Sequence, residues 1–379
     1  MSFTDRLGFT VSQAIAAWVL VFLVGGAAGV VAMLLCHYLM TFGGEDSADK
    51  HGISKVTASR VGGIAVVGYM LIHLGYQYFT GLYSPSFAEN SVFLTAITYF
   101  ALGFFEDLRG NLSAKLRFGL MAVIAAGTLL LSPHLVLGPV GIFFVDAAVS
   151  TQITALLFTA LCVAYIPNAF NTADGANGLV SGVSFATLTG LSAVAPPELL
   201  PFIASGAVGC LIFMIFNVIS GRFFLGDGGA YFLGAFCGLS VVLIANQTDA
   251  SVWWLLSMIF YPVVDLMWSM GRRALDRKSP FEPDNQHFHN VLFAWLDTDK
   301  RSSVVANTSC GIGIAVVFAG LPLAIFSTGF IAADSLNWFW VVVLQWLVYG
   351  AGWRYLNQRL CLLPDDSPVE SARVQGAAS

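Results

Sequence analysis

Charge is scarce in this chain. Only 10% of its 379 residues are Asp, Glu, Lys or Arg, too few to coat the two soluble domains that such a length would suit. Lys and Arg number 17 against 22 Asp and Glu, and this near-neutral balance of −5 offers no electrostatic handle for nucleic acid. Cysteine is sparse as well. Cys36, Cys162, Cys210, Cys237, Cys310 and Cys361 are scattered without a CxxC pair, mostly inside apolar runs, so they read as small packing residues with no disulfide framework. The opening MSFTDRLGF lacks the strongly basic start of a secretory leader, and a long apolar run follows it, so an uncleaved first span is expected. No internal repeat and no soluble domain is evident.

Apolar sequence fills the space instead. Hydrophobic residues make up 57% of the chain, the mean hydropathy is +0.77, and the apolar runs approach the ~20 residues needed to cross a bilayer. In lipid every backbone polar group must be satisfied within its own segment, so these runs are expected to be helices and the fold all-α. Windows fall at about 12–38, 61–80, 91–105, 116–132, 151–167, 178–194, 202–219, 229–246, 252–270, 304–327 and 337–356. The expectation is a polytopic bundle of about eleven transmembrane helices over residues 1–356, followed by a disordered polar tail over 357–379. Alternating these spans puts all 17 basic residues except Arg6 on one side. Positive residues stay cytoplasmic, so the N-terminus is expected outside (periplasmic) and the C-terminus inside. On the outer side, LGPVGIFF within 133–150 suggests a small hairpin.

The polar residues gather in the connections of the basic side. SRVGG carries Arg60; GFFEDLRGN carries Glu106 and Asp107; NAFNTADGANGL covers 168–179; GRFFLGDGGAYFLG holds Asp227; and RRALDRKSPFEPDNQHFHN holds Asp284, His287 and His289. Carboxylates, histidines and arginines sharing one face suit the handling of a diphosphate. Adjacent carboxylates repel unless a proton or divalent cation intervenes, and hard oxygen ligands without cysteine favour Mg²⁺ or Mn²⁺ over zinc. Glycines beside Asp227 let backbone approach a ligand, and arginines supply bidentate phosphate contacts.

Plainer roles compete at each position. Glu106, Asp107 and Arg109 could anchor a helix end in the interface. Asn168 and Asn171 could be helix caps. Gly25 and Gly29 read as helix packing, and His37, His73 and His134 are isolated. His287 and His289, two residues apart, would not share a helix face. Asp265, within an apolar span, needs a partner or a function; Arg272 and Arg273 two turns on could be that partner.

Taken together, these segments resemble the polyprenyl-phosphate N-acetylhexosamine-1-phosphate transferase family over roughly His51 to Asn290. GFFEDLRG resembles its acidic-pair motif, NAFNTADGANGL its Asn-rich nucleotide motif, GDGGAYFLG its Gly-Asp-x-Gly motif and PDNQHFHN its histidine motif. The aspartate in the ninth span and the histidine segment are closer to the WecA-type branch than to the MraY-type branch. The resemblance implies Mg²⁺-dependent transfer of HexNAc-1-phosphate, with GlcNAc as the expected sugar, from a UDP-N-acetylhexosamine to undecaprenyl phosphate, releasing UMP. Such a step would begin a lipid-linked cell-surface glycan such as O-antigen, on the cytoplasmic face of a bacterial inner membrane, with a homodimer as an allowed assembly. It further implies Asp227 as magnesium ligand, with Asp107 beside it, and Glu106 and Asp107 holding or activating the lipid phosphate. Asp174 and Asn171, with Asn168 and Asn177, would contact nucleotide or diphosphate. His287 and His289 would bind phosphate or sugar, Asp265 and Asp284 would support substrate binding, and Arg60 would lie near the lipid phosphate.

Three positions depart from the family pattern. Glu106 replaces the usual first aspartate of the acidic pair, Asn177 replaces a second aspartate, and Asn290 replaces a further histidine. UDP-MurNAc-pentapeptide or a deoxy-HexNAc remains an alternative donor. A transporter is the rival of another class, which predicts polar residues near mid-bilayer and symmetry between halves.

Overall fold

The computed structural model describes residues 11–41, 59–110, 112–221, 223–279, 284–297 and 302–360. Among them the only non-helical pairing is an isolated parallel bridge between Ser59 and Phe223. In chain order the helices are α1 (Val11–Thr41), α2 (Gly63–Phe79), α3 (Phe87–Arg109), α4 (Ala114–Leu131), α5 (Phe143–Ala148), α6 (Gln152–Ala173), α7 (Leu179–Val194) and α8 (Leu200–Ser220). They continue with α9 (Gly226–Gln247), α10 (Val252–Met258), α11 (Phe260–Leu275), α12 (Phe288–Leu296), α13 (Ser303–Ala315), α14 (Leu321–Ser327) and α15 (Trp338–Leu360).

The chain is a polytopic helical membrane protein. Six of the described helical stretches are long and apolar enough to cross a membrane, or seven when α10 and α11, bent by 80°, count as one span. About eleven were expected. Every expected window does fall on a helix, but hydrophobicity alone also admits short ones. At 16 residues α7 reaches only about 24 Å, less than the ~30 Å hydrocarbon core. The loop over 133–150 contains a 3-10 turn at Pro133–Leu135 and the short helix α5 instead of a hairpin. Asp146 accepts from the Val140 N–H at 2.7 Å there, drawing the loop in by side-chain capping. Helix α15 runs four residues into the expected tail, and 361–379 lie outside the described residues.

Helix α9 is the central post. Its sequence is apolar on every face, the pattern of a helix surrounded by others, and 89% of its apolar window is buried against 17% for peripheral α4. Small residues let its neighbours approach closely. A Cβ at Gly103 of α3 would come within 2.5 Å of the Asp227 backbone, so α3 crosses α9 at the start of the latter.

Two proline breaks are repaired by side chains. Pro262 and Pro322 lack the N–H that would bond the carbonyls of Met258 and Phe318. Thr187 donates to Met258 O at 3.0 Å, and Gln345 donates to Phe318 O at 2.9 Å and to Ser257 O at 3.0 Å. Such replacement is what permits irregular helices at membrane depth.

Candidate active site

Four helix ends meet around Asp107. Its carboxylate, only 2% exposed, sits in the last turn of α3 and accepts from the N–H groups of Asp227 (3.2 Å) and Gly228 (3.0 Å) in the first turn of α9. A carboxylate at a helix N-terminus satisfies orphan donors and complements the dipole. The tight geometry depends on Gly226. Its φ is +74°, and an added Cβ would fall 2.1 Å from the Arg60 carbonyl oxygen and 2.8 Å from Asp107 Oδ2. Only glycine fits.

Charge surrounds this junction. Arg117, in the first turn of α4, donates to the Asp227 carboxylate, and Arg60 lies 3.9 Å from Asp107. Residues 59–63 are laced to 223–225 by backbone bonds, Phe224 N to Ser59 O at 2.8 Å and Gly62 N to Phe224 O at 2.9 Å, which fixes Arg60 beside the pair. Asp174 caps the end of α6 and accepts from Gly226 N–H at 3.1 Å. Burial first, then the Asp107 and Asp227 carboxylates, hold its acid well above the ordinary carboxylate range, against the opposing Gly226 N–H and Arg60.

Asn171 reaches Tyr231 Oη at 3.3 Å on the same side of α9. Glu106 accepts from the Leu112 N–H at 2.8 Å, bracing the α3–α4 turn, and its carboxylate lies close enough to act electrostatically on Arg117 and Asp227. Asn168 and Asn171 lie within α6 and are not caps. Asn168 donates to Ala164 O at 2.8 Å, one turn back along its own helix.

A second cluster surrounds Asp265 on α11. The carboxylate, 1% exposed, bonds His287 Nδ1 at 2.7 Å and accepts from Tyr349 Oη at 2.7 Å and the Phe288 N–H at 2.9 Å. Asp265 therefore finds its partners on the histidine segment and α15; Arg272 instead pairs with Asp284 at 2.5 Å. His287 is the N-cap residue of α12 and His289 lies in its first turn, so helical periodicity does not separate them. Their rings stack at 5.7 Å and 15°. Tyr261 Oη holds His289 through Nδ1 (3.0 Å) and through its N–H (3.1 Å).

Asp284 accepts from the Ser269 hydroxyl, Arg272 and the Gln286 N–H (3.0 Å). Burial opposes its ionisation, yet the Ser269 bond, His287, the Gln286 N–H and Arg272 together hold it below the ordinary value.

Asn177 lies in the turn that follows Asp174. It is 2% exposed and bonded to Asn217, Asn307 and Thr308. Sequence reasoning passed over Arg117, because a basic residue at a helix start also reads as a topology signal, and over Asn217 and Asn307, which sit in apolar spans. Among the described residues no three His, Cys, Asp or Glu side chains form a metal cage. The oxygen donors at the first junction are Asp107 and Asp227, with Asp174 beyond Gly226.

Comparison with known proteins places this junction in context. The model of glycosyl transferase family 4 matches residues 90–245. An undecaprenyl-phosphate alpha-N-acetylglucosaminyl 1-phosphate transferase of Thermotoga maritima is 28% identical over 210 residues, 54% of this chain and 62% of that relative. A decaprenyl-phosphate N-acetylglucosaminephosphotransferase of Mycolicibacterium smegmatis is 24% identical over 67% of this chain and 66% of its own length. An undecaprenyl-phosphate alpha-N-acetylglucosaminyl 1-phosphate transferase of Escherichia coli K12 is 23% identical over 66% of this chain and 70% of its own. The chain thus spans just under two thirds of the first two relatives.

Proposed function

Starting from the membership of this chain in glycosyl transferase family 4, the polyprenyl-phosphate N-acetylhexosamine-1-phosphate transferases, through residues 90–245, we propose that it transfers HexNAc-1-phosphate from a UDP-N-acetylhexosamine to undecaprenyl phosphate. GlcNAc is the first-choice sugar. An oxygen of the lipid phosphate forms a bond to the β-phosphorus, the bond from that phosphorus to the bridging oxygen breaks, and UMP leaves. The product is the sugar on a lipid diphosphate, the first unit of a cell-surface glycan such as O-antigen.

One observation carries this reading: Asp107, Asp174 and Asp227 converge with Arg60 and Arg117 where α3, α4, α6 and α9 end. Phosphoryl transfer asks a protein mainly for positioning and charge neutralisation. Arg117 and Arg60 supply positive charge that two anionic substrates need to approach each other. Asp107, by holding the first turn of α9, orients the Asp227 carboxylate.

The donor chemistry here fits Mg²⁺ or Mn²⁺. All the donors are hard oxygens, and Mg²⁺ is commonly held by one or two carboxylates plus substrate phosphates and water, so no complete protein cage is required. Asp227 and Asp107 would hold the ion, which when bound would neutralise diphosphate charge. The stacked His287 and His289, oriented by Asp265 and Tyr261, would face the phosphate or sugar from α12. The charge partition along the chain supports an outside N-terminus and a catalytic junction on the cytoplasmic side of an inner membrane, with some expected spans shorter than the bilayer core.

Purified protein incubated with undecaprenyl phosphate, Mg²⁺ and a panel of UDP-GlcNAc, UDP-MurNAc-pentapeptide and deoxy-HexNAc donors tests the proposal. UMP release with a lipid-linked sugar is expected, and the best donor identifies the substrate. No UMP release with any donor rejects it.

A further inference from the structure

The two turns bearing Asp174 and Asp227 are tied together by one buried amide. Asn217, in the last turn of α8, is 3% exposed. Its Oδ1 accepts from the Gly178 N–H at 2.5 Å, just after Asp174, while its Nδ2 donates to Phe223 O at 2.6 Å, just before Asp227. The same Nδ2 reaches Asn177 Oδ1 at 3.3 Å.

A second amide, Asn307 on α13, clamps the first turn from the other side. It accepts from the Asn177 N–H at 2.6 Å and donates to Gly175 O at 3.2 Å. Helix α13 lies hard against this turn, since a Cβ on Gly311 would fall 2.2 Å from Asn177 O. Cys310, one turn on from Asn307, donates to His289 O at 3.2 Å. The Asp174 turn, the Asp227 turn and the histidine helix are therefore connected through two asparagines and α13.

We infer that Asn217, assisted by Asn307, is a positioning residue that sets the separation of the Asp174 and Asp227 carboxylates; this rests on the transferase reading above. An amide is suited to the task because it offers an acceptor and two donors in one rigid plane, to a turn N–H on one side and a turn carbonyl on the other. An aspartate there would set a carboxylate against the carbonyl oxygens of Phe223 and Asn177, and an apolar residue would leave buried N–H and C=O groups unpaired. Slack of about 1 Å between reacting groups can cost on the order of 10²-fold in rate. The network also gives Asn177, where the family pattern has an aspartate, a neutral role: it accepts from Asn217 and donates to Thr308.

The test uses the full chain in detergent with Asn217→Ala, Asn217→Asp, Asn307→Ala and, as control, Gln345→Ala, which removes a buried amide that bridges the proline breaks. Hydrogen exchange is read first. Asn217→Ala should speed exchange at both 175–179 and 223–229, Asn307→Ala at 175–179 only, and Gln345→Ala at neither. Steady-state kinetics follow. Asn217→Ala should lower kcat by about 10- to 10²-fold while KM for the UDP-sugar moves less than about 3-fold, the pattern of lost alignment. Gln345→Ala should lose thermal stability but keep kcat per folded molecule.

Unchanged exchange at either turn in Asn217→Ala would overturn the inference. So would an equal loss of kcat in Gln345→Ala at matched loss of stability. If Asn217→Ala does not fold, Asn217→Asp and Asn307→Ala decide by the same kinetic criterion. If the unmutated protein releases no UMP with any donor, the transferase reading falls by itself, and exchange still decides whether the clamp exists.

Discussion

Arg117 donates to the carboxylate of Asp227 across 110 positions of sequence, joining the first turn of α4 to the first turn of α9. Both side chains are mostly buried, at 19% and 15% exposure, so neither charge is comfortable alone. Removing one partner of such a pair leaves the other desolvated and uncompensated.

This relationship makes Arg117→Gln a test of whether the pair serves chemistry or packing. A drop in kcat/KM of roughly 10²- to 10³-fold is expected, the scale of losing one preorganised electrostatic contact, in a protein that still elutes as a single folded species. Asp227→Asn should abolish turnover while likewise remaining folded, because the amide keeps the shape of the side chain. UMP release measured across Mg²⁺ concentrations checks both. Near-normal turnover of Arg117→Gln would make the pair a structural tie only.

Glu106 and Asp107 should separate cleanly. Glu106 spends an oxygen on the Leu112 N–H, and a glutamine carbonyl can accept that bond, so Glu106→Gln is expected to keep activity within about 5-fold, well short of the roughly 10²-fold loss of a direct electrostatic role. Asp107 receives two N–H groups from α9. In Asp107→Asn an amide N–H would face one of these donors, leaving a buried group unpaired at about 1–3 kcal/mol. A fall of about 10²-fold or more is expected for it. Equal kinetic losses in the two variants would show that Glu106 also acts directly.

Much of the candidate site was legible because an apolar chain cannot hide its few charged residues. Asp107, Asp174, Asp227, His287 and His289 stand out in the sequence, and the structure brings the three aspartates to one junction. What escaped is what depends on contacts distant in sequence. Asn177 was expected to contact nucleotide, and nothing in the sequence showed that Asn217 and Asn307, from two apolar spans, bond it. The two histidines looked divergent because α12 begins between them, so helical spacing does not apply at the cap. Span count is harder to read, because apolar content is shared by helices of full bilayer length and by shorter ones such as α7.

The histidine cluster offers a stereochemical test. Asp265 bonds His287 through Nδ1, which leaves Nε2 as the nitrogen available to a ligand. An asparagine amide can stand in for Nδ1 and a glutamine amide for Nε2. If His287 meets substrate, His287→Asn should keep thermal stability but lose activity, whereas His287→Gln should lose stability and retain part of the activity. Thermal unfolding in detergent and UMP release, run on the same preparations, separate the outcomes. Full activity in His287→Asn would confine this histidine to anchoring α12.

The loop before α12 should be sensitive to acid through Asp284. Its carboxyl is held below the ordinary value by Ser269, His287, the Gln286 N–H and Arg272, which outweigh the cost of burial. A group whose folded value is depressed adds stability that is complete above its unfolded value, about 4, and is lost as pH falls through the folded value. The anchor should therefore be intact at neutral pH and weaken only below about pH 4. Limited proteolysis at residues 284–287 with an acid-active protease should accelerate there. Asp284→Asn should cleave faster at neutral pH and lose most of that acid dependence, since the amide neither titrates nor pairs with the Arg272 charge. An Asp284→Asn loop as resistant as the unmutated one at pH 7, with the same acid response, would assign the transition to another group.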